Sequence, residues 1–224
     1  MKRLLVIAVI ILLVGSGCTA LKKSWNALIG KEETGSAQEL AWDGMDAYED
    51  GDYKEAIEHF QKLKDWYPFS KYAILAELKI ADAHYHKKQF EEAIFAYEEF
   101  EKLHPRNEAV PYVIYQIGLS YFEQIDTIDR DQNAARNALE TFRRLQKQFP
   151  DDQYARSAED HITVCIKSLV GHEYTVGVFY YKTKHYEAAL HRFMAVLSKY
   201  PDVGYHRQSI EYIAKCETEI AESK

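Results

Sequence analysis

Four segments of this chain repeat one spacing, and that spacing restricts the fold more than any other feature. Ala56 is followed by Phe60 and Pro68, Ala93 by Tyr97 and Pro105, Ala138 by Phe142 and Pro150, and Ala189 by Phe193 and Pro201. In all four, the small residue precedes an aromatic by four positions and a proline by twelve. Upstream, Gly44, Ala81 and Gly177 each lie twelve residues before the alanine of their own unit. A four-residue offset keeps two side chains on one face of an α-helix, and a proline ends the helix. Each unit therefore reads as a pair of helices, with a small residue where they come closest. The 10 glycines and 5 prolines of the 224 residues are too few for a turn-rich all-β chain.

The small residue, the aromatic and the closing proline form half of the tetratricopeptide pattern, and Gly118-Tyr121 and Gly177-Tyr180 add its G-x2-Y element. One such pair cannot bury its apolar face alone, so the units must stack. Their spacing is uneven: 37 residues from Ala56 to Ala93, 45 to Ala138 and 51 to Ala189. Gly118 lies 20 rather than 12 residues before Ala138, which puts Asp126–Asn133 on a protruding loop. Residues 152–169 carry Ala155, Ala158, Ile162, Ile166 and Leu169 on one side and form a further helix; a last one runs from about 204 to 221. The expected fold is all-α, a tetratricopeptide-repeat superhelical solenoid over residues 36–224, with about ten helices in five antiparallel pairs.

The N-terminus reads as an address. Met1-Lys2-Arg3 precedes an apolar run, Leu4–Val14, too short to span a bilayer, and then Gly15-Ser16-Gly17-Cys18. The pattern looks like a bacterial lipobox, with Gly15 in place of the usual leucine. It implies a signal peptide over 1–17, acylation of Cys18, and a tether over 18–35. Thr19 after the cysteine, rather than aspartate, points to the outer membrane. The full chain carries 28 basic and 35 acidic residues, a net −7, which removes nucleic acid from the expected partners.

Catalytic and metal motifs fail on inspection. The only G-x-G lies in the signal peptide, and neither C-x-x-C nor H-E-x-x-H occurs. Asp129-x-Asp131-x-Asn133 with Glu140 imitates a calcium loop, but Ala134 stands where that loop turns on glycine. The better reading is that Asp131 or Asn133 caps the next helix. No enzyme, metal or cofactor is expected. Cys165 and Cys216 fall on helices that a solenoid keeps apart, so both are expected as buried thiols.

The chain resembles the BamD (ComL-like) family of outer-membrane assembly lipoproteins. The residues that carry the resemblance are YPFSKYA (67–73), FEEAIFAYEEFEKLHP (90–105), DRDQ (129–132), FPDDQYA (149–155) and HEYTVGVFYYKTKHYEAALHRF (172–193). It implies a lipid-anchored scaffold of the β-barrel assembly machinery, facing the periplasm of a Gram-negative bacterium. Its partners would be the POTRA domains of the BamA insertase, other lipoproteins of the machine, and the β-signals of unfolded outer-membrane proteins. The alternative is another tetratricopeptide lipoprotein, such as a pilotin or an organiser of cell-wall enzymes. Arg192 matches a POTRA contact in the family, and Asp129, Arg130, Asp131 and Gln132 are the second candidate contact. A local ion pair of Arg192 with Glu173 or Glu187 is the competing reading. On the first-helix face, Tyr48, Tyr85, Tyr112, Tyr115 and Phe122 either line a peptide groove or pack between neighbouring helices.

Overall fold

The computed structural model describes residues 35–223, so the signal peptide, Cys18 and most of the tether lie outside the described residues. Among the described residues nine helices follow one another: α1 (Ala37–Glu49), α2 (Tyr53–Trp66), α3 (Ala73–His86), α4 (Phe90–Leu103), α5 (Val110–Phe122), α6 (Asn133–Gln148), α7 (Gln153–Lys182), α8 (Tyr186–Lys199) and α9 (His206–Glu222). Each packs on the next, and α5 also touches α7. This is an all-α tetratricopeptide stack.

The repeat residues do what their spacing requires. The helices α2, α4, α6 and α8 each end two residues before a proline, Pro68, Pro105, Pro150 or Pro201. Ser36 opens α1 with a reciprocal cap: its hydroxyl accepts from the Glu39 N–H at 3.2 Å, and its own N–H donates to Glu39 Oε2 at 2.7 Å. Asp52 and Asp152 cap α2 and α7 in the simpler way.

In three of the pairs, the aromatic of the second helix lies directly against the glycine of the first. A Cβ on Gly44 would sit 2.7 Å from Phe60 Cε1, and one on Gly177 would sit 2.8 Å from Phe193 Cε1. Gly118 is still more tightly covered by Phe142. These rings are fully buried, and so is Tyr97 in the second unit. Gly118→Ala is therefore expected to destabilise by about 1–3 kcal/mol, overpacking outweighing the better helix propensity of alanine. A urea or thermal melt with an unchanged or raised midpoint would contradict this contact.

Two expectations change. The helix foreseen at 152–169 does not stop before the fourth unit. It runs on as the first helix of that unit, so α7 is 30 residues long and the foreseen ten helices become nine among the described residues. No proline interrupts it, and Gly171 marks a close approach rather than a break: its added Cβ would meet the Tyr205 hydroxyl at 3.0 Å and Ile128 at 3.4 Å. Nor does the insertion after α5 protrude freely, because it is tied down onto α7.

Candidate docking surfaces

The first-helix aromatics bridge successive units. Tyr48 on α1 meets the His86 ring of α3 at 5.7 Å, and Lys79 Nζ of α3 lies 4.5 Å from the centre of its ring. Tyr85 packs edge-on to His86 and Phe90. Tyr112 and Tyr115 on α5 lie 5.4 and 5.5 Å from Tyr154 of α7, and Phe122 lies 4.8 Å from His161. All five are half-buried, each packed between helices with part of its surface open. Burial raises the hydroxyl pKa of Tyr48, Tyr85, Tyr112 and Tyr115. These hydroxyls therefore stay neutral donors.

Beneath this face lies a residue that the sequence reading did not single out. Asp82 of α3 is buried, and its Oδ1 accepts from the hydroxyls of Tyr97 at 2.7 Å and Tyr112 at 2.8 Å. Its Oδ2 accepts from Lys79 Nζ at 2.8 Å. One carboxylate thus joins α3 to α4 and α5, and through Lys79 to the Tyr48 ring of α1. Nothing in the repeat spacing marks it. The usable signal was its setting in Ala81-Asp82-Ala83, a charge between two alanines on a packed helix face.

The second surface is built on α7. Gln132, foreseen among the contact residues, instead points inward and is buried. Its Nε2 donates to the carbonyls of Thr127 at 3.2 Å and Arg130 at 3.1 Å, and its Oε1 accepts from Ser168 Oγ of α7 at 2.7 Å. One turn further along α7, His172 Nδ1 donates to the Ile128 carbonyl at 2.6 Å. Gln132 therefore positions the loop, while Asp129, Arg130 and Asp131 remain exposed on it. Asp131 also accepts from the Asn133 N–H at 3.1 Å, next to the start of α6. Ser168→Ala is expected to cost about 1 kcal/mol and to speed amide exchange selectively over 126–132. Equal exchange in the two proteins would show that this bond does not hold the loop.

Next to His172 in the chain, Glu173 accepts from Arg192 Nη1 of α8 at 2.9 Å. Of the two local partners considered for Arg192, Glu173 is the one engaged, and Arg192 stays about one-third exposed. Consecutive residues of α7 thus hold the DRDQ loop and Arg192, placing both foreseen contact regions at one corner. Cys165 and Cys216 are buried and unpaired, and burial pushes the Cys165 thiol up to about 12.

Stacked helix pairs with a small residue under the aromatic of each partner define a tetratricopeptide-repeat protein. Comparison with known proteins narrows it. A family model described as outer membrane lipoprotein (YfiO) matches residues 33–224. The outer membrane protein assembly factor BamD of Rickettsia prowazekii (strain Madrid E) is 31% identical over 206 residues, which are 92% of this chain and 79% of that protein. BamD of Caulobacter vibrioides is 30% identical over 167 residues, 75% of this chain and 55% of the relative. BamD of Neisseria meningitidis serogroup A is 28% identical over 185 residues, 78% and 69% of the two chains. The chain thus spans about half the length of the Caulobacter relative. The crystal structure of the P58(IPK) TPR domain aligns with 92% of this chain and 71% of its own, at 14% identity and a TM-score of 0.32. The repeat assignment rests on the helix pairs themselves. The chain belongs to the BamD (YfiO) family of outer membrane lipoproteins.

Proposed function

We propose that this chain is a non-enzymatic scaffold for outer-membrane protein assembly, anchored by acylated Cys18 and facing the periplasm. Residues 1–17 serve as signal peptide, 18–35 as tether and 36–224 as the working solenoid. The α7 corner, with Arg192, Asp129, Arg130 and Asp131, takes the POTRA domains of a BamA-type insertase, beside other lipoproteins of the machine. The first-helix face with Tyr48, Tyr85, Tyr112, Tyr115 and Phe122 receives the aromatic-ended β-signals of client proteins, where a half-buried tyrosine offers contact area at little entropic cost.

One observation carries this reading: His172 and Glu173, adjacent on α7, hold the DRDQ loop and Arg192 at the same place. The family's names for its members agree with an assembly role. The test is co-purification of a POTRA-bearing partner from solubilised outer membranes, with Cys18→Ala alongside. The native chain is expected to bring the partner down and to fractionate with the outer membrane, and Cys18→Ala to leave that fraction. A native chain that captures no POTRA protein rejects the scaffold assignment. A Cys18→Ala protein that fractionates normally rejects the anchor.

A further inference from the structure

One edge of the stack carries an unusual set of side chains. Helix directions alternate, so the start of α1, the end of α2, the start of α3 and the end of α4 share that edge. The chain enters there as well: the Gly35 carbonyl accepts from the Tyr67 hydroxyl at 3.2 Å, fixing the start of α1 beside the α2–α3 turn. In that turn Phe69 is fully exposed, flanked by the partly exposed Trp66 and Ile74. The His104–Glu77 pair, 2.6 Å, brings the end of α4 against α3, and Leu103 beside it is more than half exposed. The same turns present the exposed cations Lys71, Lys102 and Arg106 against the acids Asp65 and Glu108, in a chain whose net charge is −7.

From this juxtaposition we infer that the edge formed by Trp66, Phe69, Ile74 and Leu103 rests on the lipid surface to which the chain is tethered. A tryptophan with large apolar side chains, interleaved with Lys and Arg, is the kind of set that settles at a membrane–water interface, and the cations suit an anionic leaflet. The chain's own length argues for lipid as the occupant. Residues 19–34 separate Cys18 from Gly35, so even a fully extended tether holds this edge within about 60 Å of the anchor. The attachment itself lies at this edge, because Tyr67 in the α2–α3 turn holds Gly35 there, whereas the α1–α2 turn at the opposite edge is the 13-residue length of α1 away. The inference extends the anchored-scaffold reading and rests on Cys18 lying at the membrane.

The test supplies the anchor chemically, so that it does not depend on acylation in the cell. The mature chain from Cys18 is coupled through that thiol to a maleimide lipid in phosphatidylethanolamine–phosphatidylglycerol vesicles; Cys165 and Cys216 are buried and do not compete. The three tryptophans are Trp25, Trp42 and Trp66. Trp25→Phe with Trp42→Phe leaves Trp66 as reporter, and Trp25→Phe with Trp66→Phe leaves Trp42 on α1 as control. With acyl-brominated lipids, Trp66 emission is expected to fall at least twofold and shift to the blue, Trp42 to stay unchanged, and Phe69→Ser to relieve the quenching of Trp66. Trp66 quenched no more than Trp42 overturns the inference. Shielding of Trp66 only after solubilised outer-membrane proteins are added also overturns it, and assigns the edge to a protein.

Discussion

Replacing Asp82 by alanine is expected to lower stability by about 3–5 kcal/mol, the range found when one partner of a buried charged pair is removed. The reason lies in what stays behind. Tyr97 keeps a fully buried hydroxyl with no acceptor, Tyr112 loses its bond from α5, and Lys79 keeps a half-buried ammonium facing a void. For a domain of this size the change corresponds to a melting midpoint roughly 10 °C lower. Asp82→Asn keeps an oxygen acceptor for the tyrosines and loses only the charge opposite Lys79, so its cost is expected to be clearly smaller. The Tyr97→Phe change removes one neutral donor and is expected to cost about 1 kcal/mol. Thermal melts of the three variants give the order. An Asp82→Ala protein within about 1 kcal/mol of native would mean that the carboxylate does not join the first three units. The consequence reaches function, because Asp82 and Lys79 set where the Tyr48 and Tyr112 rings sit on the proposed client face.

What could be read beforehand divides along physical lines. The Ala-x3-aromatic spacing is local and periodic, so helix pairs, closing prolines and the small residue facing each ring followed from it. The continuity of α7 did not. The apolar pattern of the further helix was read only to Leu169, while Gly171 just beyond it marks the close approach of Ile128 and Tyr205 from segments 43 and 34 residues away in sequence. The insertion was visible as extra length between Gly118 and Ala138, but its attachment depends on Ser168 and His172, which come from another unit. Gln132 shows the limit best. Its place in the DRDQ segment of the expected protruding loop suggested an outward contact, and only the tertiary fold turns it inward. Asp82 was hidden for the same reason: its partners lie 3, 15 and 30 residues away, without any common period.

Arg192→Glu is expected to abolish capture of the POTRA-bearing partner. In the free chain Arg192 is bonded to Glu173 and still about one-third exposed, so its remaining donors can face a docked acid. Removing a charge from a desolvated contact costs about 2–5 kcal/mol, roughly 30-fold to several thousand-fold in affinity. Arg192→Ala is expected within that range, and charge reversal beyond it. Both changes also disturb the partly buried pair with Glu173; Arg192→Ala is expected to lower stability by about 1 kcal/mol, and Arg192→Glu by more, because it sets two carboxylates side by side. A double variant, Glu173→Arg with Arg192→Glu, separates the two roles because it restores the local pair with its charges exchanged. If Arg192 touches the partner, the exchanged protein melts like the native one and still fails to bind. The measurement is a titration of the purified POTRA domains against all four proteins at matched salt. Native affinity in the exchanged protein would confine Arg192 to holding α8 against α7, and the contact would then fall to Asp129, Arg130 and Asp131 on the loop that His172 holds beside it.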